Sequence, residues 1–220
     1  MTPRRRRRRH GCPAILVGIT GSIGVGKSTA LAAFRSSGAR VLDADDDARA
    51  VVRPGGRTLR AISDAFGSDL IAPDGTLRRG TLAERVFGKP LLVERLNQIT
   101  HPAIRRRLRR RILRLCADSP ADSVIAVEIP LLFESGLESW FDTVVVIGAD
   151  RQTQIHRLVN RDACSAEVAA IRITAQWSFE RKAELADLVV NNNGSLRKFE
   201  RSIQLLCRNL VEARRTASQE

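Results

Sequence analysis

Five short apolar runs punctuate the chain: Ile15 to Ile19, Ala39 to Leu42, Ser123 to Ile129, Thr143 to Ile147 and Ala186 to Val190. Short, mostly apolar runs of this length read as strands. Between them the apolar residues recur every three or four positions, the spacing of a helix face. Ala30 to Phe34 lead towards a stop at Gly38, and Ala48 to Val51 form a short helix. Leu59, Ile62, Ala65 and Phe66 make a core stripe that Gly67 ends. Thr81 reads as the cap of Leu82 to Phe87, with Glu84 closing a capping box. Leu91 to Ile99 follow, and Thr100-His101-Pro102 then opens a new helix whose buried face is Ile104, Leu108, Ile112 and Leu115. Gln152 to Asn160, a helix capped by Ser165, and Leu196 to Val211 complete the pattern, with residues 213–220 a polar tail. Strands alternating with helices predict a parallel sheet covered on both faces.

Chemistry enters between the first strand and first helix. Gly21-Ser22-Ile23-Gly24-Val25-Gly26-Lys27-Ser28-Thr29 fits G-x-x-x-x-G-K-[ST], the phosphate-binding loop, in the strand–loop–helix setting that motif requires. Its glycines let successive N–H groups point inward as an anion nest, and the following helix aims its positive end at the same spot. Lys27 is expected to hold the outer phosphates of a nucleotide and Ser28 a magnesium ion, with Gly24, Val25, Gly26 and Thr29 lining the cradle. A dinucleotide G-x-G-x-x-G fits less well, because Thr29 stands at its third position.

Ligands of a parallel sheet sit beyond the carboxyl ends of its strands. The second strand ends in Asp43-Ala44-Asp45-Asp46-Asp47, so one of Asp43 and Asp45 is expected to be a general base, with Asp46 and Asp47 left to helix capping. Glu128, at the end of the third strand, is either an acid that orders magnesium and its waters or an ordinary edge residue. Arg157 and Arg161 share one helix face in the basic, loop-broken stretch 151–185, which reads as a lid; Arg161 could equally pair with Asp162. Asn191-Asn192-Asn193-Gly194 is a turn whose amides can read a purine edge or simply make the turn.

The net charge is +13, of which Arg4 to Arg9 supply six, leaving a body that is still basic. Such a surface suits a polyanion, and the phosphate loop favours a phosphorylated small molecule. Aromatic content of 4% argues against base stacking, hence against an obligatory nucleic-acid partner. Residues 1–13 are expected to be a disordered basic tail, since blocks of like charge stay solvated. No stretch is long enough to span a membrane. Cys12, Cys116, Cys164 and Cys207 lie far apart, which speaks against zinc and against disulfides and for a reducing, cytoplasmic setting.

Taken together these stretches resemble the dephospho-coenzyme A kinases. The resemblance runs from about Ile15 to Leu210 and is carried by Gly18 to Thr29, Asp43-Ala44-Asp45 with Ala48-Arg49, His101 to Arg105, Pro130-Leu131-Leu132-Phe133-Glu134, Arg161-Asp162, Gln176 and Asn192-Asn193-Gly194. It implies an α/β, P-loop NTPase-type three-layer fold: a five-stranded parallel sheet within residues 14–212, a helical substrate region over about 46–121, and the lid. It implies transfer of the γ-phosphoryl of ATP, with Mg2+, to the ribose 3′-hydroxyl of dephospho-coenzyme A, by a monomer or weak homo-oligomer. By position, Asp45 is the base, Lys27 the phosphate clamp, Ser28 the metal ligand and Arg161 a lid residue. Asn193 falls on the nucleotide side, and Asp43, His101 and Leu131, Leu132, Phe133 and Glu134 on the acceptor side. Ser22, Val25, Leu188 and Asn191 depart from the family's usual residues. Rival readings are another small-molecule kinase, of nucleoside monophosphate or shikimate type, and a nucleic-acid-associated ATPase.

Overall fold

The computed structural model describes residues 11–217, so most of the basic tail and the last three residues lie outside the described residues. The elements begin β1 (Ile15–Thr20), α1 (Lys27–Ser36), β2 (Arg40–Asp43), α2 (Ala44–Ala50) and α3 (Arg57–Phe66). They continue α4 (Arg79–Val86), α5 (Pro90–Ala117), β3 (Val124–Glu128), β4 (Thr143–Gly148) and α6 (Arg151–Asp162). The chain closes with α7 (Ala166–Thr174), α8 (Phe179–Leu185), β5 (Leu188–Asn191) and α9 (Leu196–Thr216).

The fold divides into two compact units: residues 1–42 with 114–220, and residues 43–113. In the first, a five-stranded sheet has the order β2-β3-β1-β4-β5. The pairs β1–β3, β1–β4 and β4–β5 are parallel, with Gly18 opposite both Val127 and Val144. Every residue of β1, β3 and β4 is buried, which is why these strands read as unbroken apolar runs. β5, at an edge, alternates between half-buried and exposed positions. α1 and α9 share a core cluster with the sheet, in which Phe34 and Ile203 are fully buried and Phe199 nearly so. At the middle of β1, a side chain on Gly18 would press into Leu132 and Phe141 and force them to shift, which favours glycine there.

The second unit has its own small core of Val52, Ile62, Phe66, Leu70, Leu82 and Val86. The stripe expected on α3 supplies Ile62 and Phe66 to it, and Gly67 ends that helix in a conformation (φ 119) that L side chains rarely adopt.

Several expectations need correction. Pro102 does not open a helix: it lies inside α5, one continuous 28-residue helix with Pro90 at its start. A proline removes one backbone N–H and crowds the preceding turn, yet the flanking apolar stripes carry the helix through. Thr81 is inside α4, whose cap is Arg78 without a side-chain bond, so the capping box does not form. Asp43, not Asp46 or Asp47, caps α2, accepting the Asp45 N–H at 2.8 Å. α8 was not anticipated, and α9 runs past Val211 into the supposed polar tail.

The cysteines are not all isolated. Cys12 and Cys116 form a disulfide across a sequence separation of 104, with Cα atoms 5.0 Å apart. Spacing along the chain could not reveal it. Ile15 N–H bonds to the Ser123 carbonyl at 2.8 Å, so the entry to β1 lies beside the segment that links α5 to β3. Cys164 and Cys207 are free.

Candidate active site

The phosphate loop follows the end of the central strand. Gly21, Gly24 and Gly26 have φ of 148°, 80° and 92°, and Gly26 is the left-handed N-cap of α1. Positive φ at these glycines permits the curl that an anion nest needs. Lys27 folds back, donating from Nζ to the Ser22 carbonyl at 3.1 Å. Ser28 is exposed in the first turn of α1, while Val25 is buried.

Three side chains from distant elements brace this loop. Asn192 Nδ2 donates to the Val25 carbonyl at 2.8 Å, from a side chain that is almost wholly buried. Arg157, on α6, donates from Nη1 to the carbonyls of Gly24 and Val25, both at 3.3 Å, and from Nη2 to the Asn192 carbonyl at 2.9 Å. Gln176 Oε1 accepts the Ile23 N–H at 2.9 Å. Arg157 entered the sequence reading only as the helix-face neighbour of Arg161; that four-residue step was its signal. Asn193, expected on the nucleotide side, accepts the Asp150 N–H through Oδ1 at 2.8 Å. Beside Ser22 a cavity of about 510 Å³ opens, walled by Gln154, Gln176, Trp177, Phe179, Asn191 and Asn193. Amides and aromatic rings together suit a planar heterocycle.

Arg161 pairs with Asp162 through two hydrogen bonds, 2.7 and 3.0 Å, and Arg172 of α7 grips the same carboxylate at 2.8 Å. The Arg161 bonds hold the Asp162 carboxyl below its ordinary range. The pairing that the sequence left open is therefore made. In the stretch after β3, Leu132 is fully buried and Phe133 nearly so, which makes both of them core side chains rather than exposed contacts. Leu131 is exposed, and Glu134 is ion-paired with Lys182 at 2.9 Å. Lys182 has no signal in the sequence, since its partner Glu134 lies 48 positions earlier. Glu128 ends β3 opposite Ile19, almost wholly buried.

The second unit holds the other expected residues. Asp43 is engaged as the α2 cap, while Asp45 is exposed in that helix's first turn. Asp47 has no solvent exposure; its Oδ2 accepts from Arg111 at 2.7 Å, and Oδ1 lies 2.9 Å from Arg107 Nε in an ion pair not aligned as a hydrogen bond. His101 is mid-helix and half-buried. Burial, and then the neighbouring Arg105 charge, hold its pKa below the ordinary 6.5, so at neutral pH the ring is uncharged.

Comparison with known proteins bears on what these pieces are for. A family model described as dephospho-CoA kinase matches residues 15–198. A dephospho-CoA kinase of Geobacillus kaustophilus is 40% identical over 189 residues, 86% of this chain and 93% of that one. Among solved structures, TT1252 from Thermus thermophilus superposes with a TM-score of 0.75 at 34% identity, over 90% of this chain and 98% of that one. A dephospho-CoA kinase from Campylobacter jejuni gives 0.62 at 26% identity over the same shares. With a kinase phosphate loop on a five-stranded sheet and a family match over most of its length, this chain belongs to the dephospho-CoA kinase family.

Proposed function

We propose that the chain transfers the γ-phosphoryl group of ATP to the ribose 3′-hydroxyl of dephospho-coenzyme A, giving coenzyme A and ADP, the last step of coenzyme A synthesis. One observation carries the reading: the carbonyls of Ser22, Gly24 and Val25 are all taken by cationic or amide donors. With those negative ends satisfied, the loop's N–H groups and the positive end of α1 dominate the field that a triphosphate meets. When Lys27 leaves the Ser22 carbonyl for a phosphate oxygen, one hydrogen bond replaces another, and the Gly24 and Val25 carbonyls keep their donors.

Asp45 is the base. Of the two candidates it is the one whose side chain is not the cap of α2, and it is exposed in that helix's first turn. Ser28 fits magnesium, a hard ion that prefers oxygen, and with the ion bound the charge on the transferring group is neutralised. Arg161, paired with Asp162, which Arg172 also holds, is assigned to the lid, and Asn193 to the nucleotide side. His101, neutral at working pH, and Leu131, exposed, are assigned to the acceptor. Location in the cytoplasm rests on ATP as co-substrate and not on the cysteines, two of which pair; a monomeric or weakly associating state completes the proposal.

The test is an ADP-release assay on ATP with dephospho-coenzyme A, with and without magnesium, against a panel of nucleoside monophosphates and shikimate. Turnover of dephospho-coenzyme A alone is expected; turnover of a monophosphate in its place refutes the reading. In the same assay Asp45→Asn is expected to lose about 10²–10⁴-fold in kcat while still binding ATP. Near-normal turnover in that variant moves the role to Asp43.

A further inference from the structure

Lysine is scarce in this chain. Of its 37 basic side chains only four are lysines, and one of these is Lys27 of the phosphate loop. A second, Lys182 on α8, is fully buried. An ammonium persists without water only where acceptors replace it. Here Glu134 Oε1 lies 2.9 Å from Nζ and the Pro130 carbonyl 3.5 Å away. A guanidinium is a wide, planar fork, whereas this gap offers a compact pair of acceptors, so a chain that otherwise uses arginine keeps lysine at this point.

Both acceptors lead to the phosphate loop. The Pro130 carbonyl also accepts the Thr20 hydroxyl at 3.1 Å, and Thr20 is the residue just before Gly21. Glu134 Oε1 also accepts the Trp177 N–H at 3.4 Å, and the adjacent Gln176 holds the Ile23 N–H. Arg181 lies over the Trp177 ring, its guanidinium carbon 3.4 Å from the centroid, so the same segment is pinned from a second side. We propose that Lys182 is a positioning residue for nucleotide binding: through Glu134 it fixes the 176–177 backbone from which Gln176 holds Ile23, and through Pro130 it fixes the loop's point of entry at Thr20. The proposal rests on the reading that this loop takes the phosphates of ATP.

The experiment is a double-mutant cycle on Lys182→Met and Gln176→Ala, read as KM for ATP, KM for dephospho-coenzyme A, and the Kd for ADP by calorimetry. Each single variant is expected to raise KM for ATP and Kd for ADP by about tenfold, the order expected when a cradle shifts by a fraction of an ångström, with KM for dephospho-coenzyme A within about twofold. The two changes act along one chain of contacts, so the double variant is expected to be no worse than Lys182→Met alone. Additive effects, or a rise in both KM values together, mean a general loss of structure and overturn the proposal. Unchanged nucleotide affinity in Gln176→Ala overturns it without any change at the buried site. If Lys182→Met does not fold, Lys182→Met/Glu134→Gln removes both charges of the pair and takes its place in the cycle. Wild-type turnover in the same assay reports separately on the kinase reading.

Discussion

Asp47→Ala offers a sharp test of how α2, the helix that carries Asp45, is held. Asp47 has no solvent exposure, and its partners Arg107 and Arg111 keep 46% and 29% of theirs. Breaking a fully buried ion pair costs about 3–5 kcal/mol, while exposed pairs are worth about 0–1. Freed guanidiniums that are partly exposed rehydrate, so the loss here falls between the limits, at about 2 kcal/mol. For a chain of this size that lowers Tm by about 4–8 °C. Asp46 provides the control: it is the adjacent acid, also paired with an arginine, Arg49, but both partners are more than half exposed. Asp46→Ala should leave Tm unchanged within about 2 °C, as surface substitutions do. Scanning fluorimetry on both variants, with Arg111→Met closing a cycle against Asp47→Ala, measures the coupling directly. Equal shifts for Asp46 and Asp47, or a coupling indistinguishable from zero, refute the reasoning that burial, rather than charge pairing as such, gives this contact its weight.

Gly26→Ala should raise the Kd for ADP about tenfold or more, because a side chain there sits at positive φ and collides with the Asn192 amide that holds Val25; calorimetry measures it. His101 should titrate below 6.5 in an NMR pH series, and Arg105→Ala should move the midpoint part of the way back. The sign follows: with the folded value depressed, its contribution to stability is complete above 6.5 and is lost as the pH falls through the folded pKa. Reduction should raise the free thiols from the two of Cys164 and Cys207 to four. It should also lower Tm, since closing a loop of about 100 residues is worth up to about 4.7 kcal/mol in the unfolded chain. An unchanged Tm after verified reduction removes any stabilising role for the bridge.

The parts legible in the sequence are those whose physics is local. β1, β3 and β4 are buried on both faces, and that alone writes an unbroken apolar run. The phosphate loop needs its glycines adjacent to one another and to Lys27, so its constraint is contiguous. Pro102 misled because a proline after a histidine looks like a helix start; only the packing of the apolar residues on both sides shows that α5 continues. Three consecutive acids, Asp45, Asp46 and Asp47, look alike in a string. Burial separates them, because Asp47 meets two arginines that lie sixty or more positions away.

The loop's braces show why the rest was hidden. A nest of inward N–H groups necessarily turns some carbonyls outward, and each carries a partial negative charge that weakens the nest unless a donor takes it. Lys27 takes the Ser22 carbonyl from within the loop, but the donors to Gly24 and Val25 come from other elements. Asn192 reaches Val25 across 167 positions, and Arg157 reaches Gly24 across 133. A motif therefore records the half of an anion site that faces the ligand. The half that faces the protein is spread over α6 and the end of β5, which supply donors, and the segment before α8, where Gln176 accepts the Ile23 N–H. This also explains why Arg157 and Asn192 bond to each other as well as to the loop: linked braces hold two carbonyls in one fixed relation, which independent donors cannot do.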